Sequence, residues 1–321
     1  MPVTLTDVAK RAGVSLATAS RAFGEPDRLA AQTLARVRDA AGELGYRAPQ
    51  LAPAAGLTFG IIVPDIANPV YATLVKAAQG RSWHGRNRPV IYDTGEDPRQ
   101  EAEQITSARD LDGIVLFSPR LPDEEIAALV GDTPTVVAGR SIEGLTSIVM
   151  DTEPGLAQAV EHLAALGHTH LAFARGPAQS WADRTRVAEL TAACDARGIR
   201  LSVQSHHAAT IQGGRATAAA VVASGATAVI AYNDLVALGI LAGMDELGRR
   251  CPADISVVGI DDIEMAAVVH PGLTTVRTPF ERAGTLAVEL LIAAIGGERV
   301  TEWTALPSQL IVRGTTAVAA S

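Results

Sequence analysis

Histidine side chains bind metal ions and transfer protons near neutral pH, so they are the first candidates for a chemical site. The chain has seven histidines, and the group with the closest spacing comprises His162, His168, His170, His206 and His207. This spacing matches no recognised metal-binding motif. The two cysteines, Cys194 and Cys251, form no C-x-x-C pair. We therefore predict no bound metal and no cofactor.

The carboxylates offer no clear catalytic arrangement either. Asp261 and Asp262 are adjacent, and neighbouring residues of a strand point to opposite faces, so the two would not share one site. The sequence also lacks a G-x-G-x-x-G fingerprint after its first predicted strand, a G-x-x-x-x-G-K-[ST] phosphate loop and a G-x-S-x-G nucleophile elbow. We predict that the protein is not an enzyme.

Basic side chains are concentrated at the N-terminus. Residues 1–50 contain seven Lys or Arg and five Asp or Glu, whereas the whole chain of 321 residues carries a net charge of −8. A positive segment on an otherwise acidic protein is typical of an end that faces nucleic acid.

The elements that would position this basic segment are three short helices over residues 4–46. Thr4 can cap the first helix, and Gly13 ends it. Ser15 can cap a second helix over residues 16–23, and a third runs from about Ala31 to Leu44. Two helices joined by a tight turn that contains glycine predict a helix-turn-helix.

Residues 48–58 are rich in Pro, Ala and Gly and are predicted to form a linker. Beyond them, short apolar runs alternate with amphipathic segments of helical length. Strands that alternate with helices predict parallel sheets, and their number predicts two doubly wound lobes. The predicted strands cover residues 59–63, 89–92, 113–117, 135–138, 148–150, 171–174, 228–231 and 256–260.

Residues 4–21 read T-L-T-D-V-A-K-R-A-G-V-S-L-A-T-A-S-R. This segment resembles the headpiece of the lactose-repressor (LacI/GalR) family, whose pattern is approximately T-x-x-D-V-A-x-x-A-G-V-S-x-x-T-V-S-R. Residues 233–239 (N-D-L-V-A-L-G) and 254–262 (D-I-S-V-V-G-I-D-D) match the family's sensing domain. That domain resembles type I periplasmic sugar-binding proteins, in which the ligand lies between two lobes.

The resemblance implies a sequence-specific DNA-binding transcriptional regulator, a repressor, whose operator affinity is modulated by a small effector such as a sugar or sugar-like metabolite. It implies a homodimer on near-palindromic double-stranded DNA. We expect a cytoplasmic location and no membrane partner, because the N-terminal residues lack the pattern of an export signal. The alternatives are a solute-binding protein or sensor on the same scaffold without effective DNA binding, and an enzyme on that scaffold.

The resemblance also divides the chain. Residues 1–47 would form an all-α DNA-binding domain, residues 48–58 the linker or hinge, and residues 59–321 an α/β domain for effector binding and dimerisation. The first lobe would comprise residues 59–150 and 279–305, and the second lobe residues 151–278 and 306–321.

In the family, the second headpiece helix enters the major groove of DNA. Here it would present Leu16 and Ala17 to thymine methyl groups and Arg21 to guanine. The hydroxyl groups expected to contact phosphate belong to Ser15, Thr18 and Ser20, and the family pattern adds Thr4 and Tyr46 to the DNA-binding set. Ala55 stands where the family has a leucine that inserts into the minor groove. Alanine inserts poorly, and Pro53 opposes a hinge helix, so we expect a smaller bend in the operator.

The effector site implied by the resemblance draws on both lobes, with Asp65, Asn68 and Tyr71 in the first and Ser180, Trp181 and Arg186 in the second. It is completed by Asn233, Asp261 and Phe280. Guanidinium, amide and carboxylate groups suit sugar hydroxyls or a small anion, and the aromatic rings suit a sugar face. Asp65 and Asn68 have the alternative role of shaping their turn. Glu189 stands where the family has glycine, so the helix that carries Arg186 is expected to pack differently.

Overall fold

A computed structural model describes residues 4–15, 18–19, 22–23, 29–44, 46, 56–298 and 303–320. The chain divides into two compact units, Met1–Leu57 with Gly85–Arg88 and Thr58–His84 with Pro89–Ser321. The helices that the structure delimits are α1 (Leu5–Ala12), α2 (Ala31–Leu44), α3 (Pro69–His84), α4 (Pro98–Ala108), α5 (Asp123–Val130), α6 (Glu153–Ala165), α7 (Trp181–Asp195), α8 (Ile211–Ala223), α9 (Asp234–Glu246), α10 (Glu264–Val268) and α11 (Phe280–Ile295). The strands are β1 (Thr58–Val63), β2 (Arg88–Asp93), β3 (Gly113–Phe117), β4 (Thr135–Gly139), β5 (Thr146–Asp151), β6 (His170–Ala174), β7 (Arg200–Val203), β8 (Ala228–Ala231), β9 (Ser256–Asp261), β10 (Thr274–Arg277), β11 (Trp303–Pro307) and β12 (Gln309–Ile311).

The headpiece begins with a capped helix. The Asp7 carboxylate accepts hydrogen bonds from the Thr4 backbone N–H at 2.9 Å and the Thr4 hydroxyl at 2.6 Å. Helix α1 ends at Gly13, which has a φ of 64°, a conformation that glycine adopts without steric cost. Residues 18–19 and 22–23 are helical, and Ser15 Oγ accepts from the Thr18 N–H at 3.1 Å. These features confirm the predicted helix-turn-helix.

The headpiece core consists mainly of alanine and valine, in a chain with only 4% aromatic residues. Arg36 of α2 donates from Nη2 to the carbonyl oxygens of Ala12 at 2.8 Å and Gly13 at 3.3 Å. These carbonyls lie at the end of α1, where no later N–H group of the helix is available to bond them. The Arg36 side chain therefore links the turn after α1 to α2. The buried core residues are Val8, Ala9, Ala12, Ala19, Ala22, Val37, Ala40 and Ala41.

The second unit contains two six-stranded sheets, one for each lobe. The strand orders are β11-β5-β4-β3-β1-β2 and β12-β10-β9-β8-β6-β7. Central strands such as β3 and β8 are buried along their whole length, because helices cover both faces of a doubly wound sheet. This arrangement confirms the predicted fold class.

One strand of the second lobe departs from the predicted parallel pattern. β12 pairs antiparallel with β10. Only Ser308 separates it from β11 of the other sheet, so β12 enters the second lobe at the edge where β11 leaves the first and runs opposite to β10. An antiparallel edge strand on a parallel sheet is common. The chain crosses between the lobes at Ser308, between β5 and α6, and between β10 and α11.

Candidate functional site

The sheet order brings several strand ends together between the lobes. Residues that follow β3 and β4 in the first lobe face residues that follow β6, β8 and β9 in the second, where open parallel sheets bind ligands. They enclose a cavity between the lobes. Its lining residues are Asn68, Val70, Tyr71, Ser118, Pro119, Arg120, Gly139, Arg140, Met150, Thr152, Trp181, Ala182, Thr185, Arg186, Tyr232, Asn233, Asp261, Thr278 and Phe280.

Arg186 is the principal cation of the second-lobe wall. It lies on α7 and is buried. Its Nη1 donates to the Tyr232 carbonyl oxygen at 2.6 Å, and its guanidinium carbon lies 4.8 Å from the centre of the Tyr232 ring. Its Nη2 is 3.9 Å from Asp261 Oδ1, which is an electrostatic contact longer than a hydrogen bond. The guanidinium is thus fixed by protein contacts before any ligand binds.

Asp261 and Asn233 complete the polar part of this wall. Burial raises the pKa of Asp261 well above its ordinary value, and the nearby Arg186 charge only partly opposes this shift. Asn233 caps α9, because its Oδ1 accepts from the Val236 N–H at 2.9 Å, and its Nδ2 donates to the Ala209 carbonyl at 3.3 Å. Both polar atoms of the Asn233 amide therefore already have protein partners.

Aromatic rings contribute the apolar part of the cavity. Tyr71 on α3 is buried, and desolvation raises its pKa to about 12, so it remains an uncharged hydroxyl. Trp181 begins α7 and Phe280 begins α11, and both are half-buried. The structure thus brings together seven of the nine residues predicted for the effector site.

Asp65 and Ser180 do not line this cavity, and their prediction is corrected accordingly. Asp65 Oδ1 accepts from the Ala67 N–H at 2.9 Å and shapes the turn before α3. Asp65 borders a separate cavity. Ser180 is fully buried, caps α7 by accepting from the Asp183 N–H at 3.2 Å, and bonds the Tyr232 hydroxyl at 2.9 Å. A serine three residues before an aspartate at a helix start is a capping signal that could have revealed this role.

Sequence analysis missed two arginines of the first-lobe wall, Arg120 and Arg140. Arg120 Nε and Nη2 donate to the Glu96 carboxylate at 2.5 and 2.8 Å. Arg140 follows β4 and pairs with Asp123 at 2.8 Å. Neither arginine belongs to a recognisable motif, so only the folded chain shows that both line the cavity.

Glu189 lies one helical turn beyond Arg186, where the family resemblance predicted altered packing. Its Oε2 accepts from the Thr152 hydroxyl at 2.8 Å. Burial raises the pKa of Glu189, whereas the Thr152 hydrogen bond opposes the shift. Thr152 lies where the chain leaves β5 for the second lobe, so Glu189 anchors α7 to a crossing segment.

The predicted DNA-binding residues are only partly described. Thr4 bonds Asp7 as the helix cap, Ser15 and Thr18 are joined through their hydroxyls at 2.8 Å, and Tyr46 packs with Phe23 at 5.7 Å between ring centroids. Contact of these residues with DNA stays a prediction. The others lie outside the described residues, namely Leu16, Ala17, Ser20, Arg21 and Ala55.

Two further findings apply to the described part of the chain. It contains no group of three or more His, Cys, Asp or Glu side chains placed to hold a metal ion. None of its helices is both long enough and apolar enough to cross a membrane.

The helix-turn-helix and the two-lobed domain with a polar cavity define a DNA-binding regulator with a periplasmic-binding-protein-like domain. Residues 4–49 match the family model of bacterial regulatory proteins of the lacI family, and residues 160–316 match the periplasmic binding protein-like domain. The chain is 31% identical to the HTH-type transcriptional regulator MalR of Streptomyces coelicolor over 99% of this chain and 98% of the relative. It is also 31% identical to the lactose operon repressor of Escherichia coli, over 98% of this chain and 91% of the relative.

Solved structures of transcriptional regulators are also similar to this chain. A lac repressor dimer bound to operator and an anti-inducer is similar with a TM-score of 0.77 and 29% identity, covering 99% of this chain and 100% of that one. A complex of the regulator CelR with cellobiose is similar with a TM-score of 0.71 and 27% identity, covering 98% and 99%. The chain belongs to the lacI family of bacterial transcriptional regulators.

Proposed function

We propose that this regulator is a repressor whose affinity for operator DNA changes when a small polar effector binds between its lobes. The observation that carries the proposal is the convergence of Arg186, Asp261 and Tyr71 from two lobes on one cavity. In this proposal, residues 1–47 bind DNA, 48–58 form the linker, and 59–321 bind effector and dimerise. The protein would act in the cytoplasm, where its operator lies, and would catalyse no reaction.

A ligand that contacts both walls favours the arrangement of the lobes in which both sets of contacts can form. Arg186 belongs to the second lobe and Tyr71 to the first. A ligand that contacts both residues therefore binds more tightly to the lobe arrangement that allows both contacts than to an arrangement that allows only one. Only such differential affinity can shift the equilibrium between conformations. The shift is the physical link that we propose between effector binding and operator affinity.

Sugars and sugar-like metabolites fit the cavity best. Hydroxyl groups both donate and accept hydrogen bonds, matching a wall that offers a carboxylate at Asp261 and a guanidinium at Arg186. Rings such as Trp181 can pack on the apolar face of a sugar. The similarity to a regulator solved with cellobiose supports this class of ligand.

A thermal-shift experiment with cellobiose, maltose, lactose and ribose tests the effector proposal. A ligand that binds only the folded state raises the unfolding temperature by mass action, and a concentration of about 100 Kd stabilises by about 2.7 kcal/mol. We expect at least one of these sugars to raise the unfolding temperature in a saturable manner. The absence of any shift at millimolar concentrations of all four would contradict a sugar effector.

Arg21→Ala tests the DNA-binding proposal. The change should cost about 1–3 kcal/mol of binding to the selected site and relax the preference at one base position in each half-site. Arg38→Ala on α2 removes the same charge and serves as the control, which should keep the base preference. Binding-site selection from random DNA measures both effects, and failure of the wild-type protein to select an inverted repeat would refute the proposal.

A further inference from the structure

Three residues that line the cavity each carry a buried hydrogen-bond donor with no protein partner. The donors are Arg140 Nε, Arg186 Nε and Thr278 Oγ1. Among the described residues only two other buried side-chain polar atoms are unpaired, Gln104 Oε1 and Thr217 Oγ1, and neither residue lines this cavity. Native proteins leave few buried polar groups without a partner. The concentration of such donors at one cavity indicates that their partners come from a ligand.

The unpaired donors belong to side chains that are otherwise fixed. Arg140 donates from Nη1 to the Pro119 carbonyl at 3.0 Å and from Nη2 to the Leu121 carbonyl at 2.5 Å. Arg186 is held in the same way by its bond to the Tyr232 carbonyl. Because these contacts restrict the guanidinium groups, each Nε–H keeps a defined position without a ligand, which lowers the entropy cost of binding.

The three donors stand on three different parts of the domain. Arg140 follows β4 in the first lobe, Arg186 lies on α7 in the second lobe, and Thr278 lies between β10 and α11, where the chain crosses between lobes. Acceptors bound to all three donors would therefore join both lobes to one of their connecting segments.

The charge of the walls constrains the acceptors. Arg140 is paired with Asp123 at 2.8 Å and Arg120 with Glu96 at 2.5 Å. Arg186 faces Asp261 at 3.9 Å. The two first-lobe guanidinium groups thus already have carboxylate partners, so an added phosphate or carboxylate would find no unpaired cation on that wall. Neutral oxygens, such as those of hydroxyl or ring-ether groups, satisfy the donors without adding charge.

We propose that Arg140 and Thr278, together with Arg186, form a trio of donors that binds neutral oxygen acceptors of the effector and ties the first lobe, second lobe and crossing segment together. This inference rests on the proposed effector function and deepens it. Arg140 and Thr278 would determine which sugars bind, because a ligand without an oxygen at this point leaves buried donors unpaired.

Thr278→Val tests the proposal, and Thr217→Val on α8 is its matched control. Both changes remove a buried hydroxyl that has no protein partner and keep a similar side-chain volume, so neither should lower the ligand-free unfolding temperature. Thr278→Val should weaken binding of the stabilising sugar among cellobiose, maltose, lactose and ribose by about 2- to 10-fold, the range for one neutral hydrogen bond. Thr217→Val should bind that sugar as the wild type does. Calorimetric titration measures the affinities, with glucose 6-phosphate as an anionic comparator.

The outcomes separate this inference from the function on which it rests. If a sugar binds the wild type and Thr278→Val binds it equally well, the donor trio is wrong while the effector function stands. Tighter binding of glucose 6-phosphate than of the neutral sugars would overturn the neutral-acceptor claim. If none of the four sugars binds the wild type, the sugar effector and this inference fall together. A lower ligand-free unfolding temperature for Thr278→Val alone would show that the hydroxyl has a structural partner, which also overturns the proposal.

Discussion

Asp261 and Asp234 are buried carboxylates of the second lobe, and their surroundings differ. Asp261 faces the cavity and the Arg186 guanidinium. Asp234 accepts instead from the Thr275 hydroxyl at 2.6 Å and the Ile263 N–H at 2.9 Å, inside the lobe. Desolvation raises the pKa of Asp234 to about 7 despite these two donors. Asp234 is therefore a structural group whose protonation affects stability.

Asp234→Asn should remove a pH-dependent contribution to stability. The pKa of Asp234 is about 7 in the folded state and about 3.9 in an unfolded chain, so between these values the folded state binds more protons. The free energy of unfolding should therefore fall as pH rises from about 4 to about 7, by up to about 4 kcal/mol from this group. Urea unfolding of wild type and variant across this range measures the difference. An identical pH slope in the two proteins would contradict the assignment.

At the same scale, the family resemblance located some residues of the cavity and missed others. Arg186 and Asp261 were predicted from the family resemblance, and the strand ends that meet at this edge of the sheet bring them to the cavity. Ser180 was misassigned because its hydroxyl turns inward to cap α7 and bond Tyr232. Arg140 was missed because its place in the cavity depends on carbonyl oxygens of a neighbouring loop, which no spacing along the chain reveals.

The start of α2 shows how a single element can be weakly stabilised. The Ala30 carbonyl accepts from the N–H groups of Thr33 and Leu34, so Ala30 occupies the capping position. Alanine has no side-chain oxygen to accept from the first turn, and a Ser, Thr or Asp at this position typically does so. The family resemblance also places a Ser or Thr before this helix.

Ala30→Ser should stabilise α2 by about 0.5–2 kcal/mol. Ala35→Ser, at an exposed position within the same helix, is the control and should be neutral or slightly destabilising because serine is a weaker helix former than alanine. Hydrogen exchange of the α2 amides in the full chain should slow by roughly 2- to 30-fold for the first variant only. Equal exchange rates in Ala30→Ser and the wild type would show that another group already caps this end.

Strand prediction succeeded for central apolar strands and for β2, and it missed β7, β10, β11 and β12. The apolar runs at residues 113–117 and 228–231 coincide with β3 and β8, because both faces of these central strands are covered. β7 was not predicted, since it pairs only with β6 at the sheet edge and is exposed or half-buried throughout. The direction of β12 follows from the one-residue crossing at Ser308, which is a tertiary feature.

At the scale of the molecule, the family and the proposed operator symmetry lead us to expect a homodimer. One headpiece buries little surface on DNA, so a second half-site bound by a second copy supplies the missing affinity. Ultracentrifugation at micromolar concentration should show a dimer both with and without operator DNA. A monomer under both conditions would contradict this expectation and the near-palindromic operator with it.

The central claim is that a sugar bound between the lobes changes operator affinity. Fluorescence anisotropy of a labelled inverted-repeat operator, titrated with wild type and Arg186→Ala in the presence and absence of the stabilising sugar, tests it directly. We predict that the sugar changes wild-type operator affinity by about 5- to 150-fold. We also predict that Arg186→Ala binds operator normally without sugar and shows no response at the same sugar concentration. An unchanged wild-type affinity, or loss of operator binding by the sugar-free variant, would contradict the account.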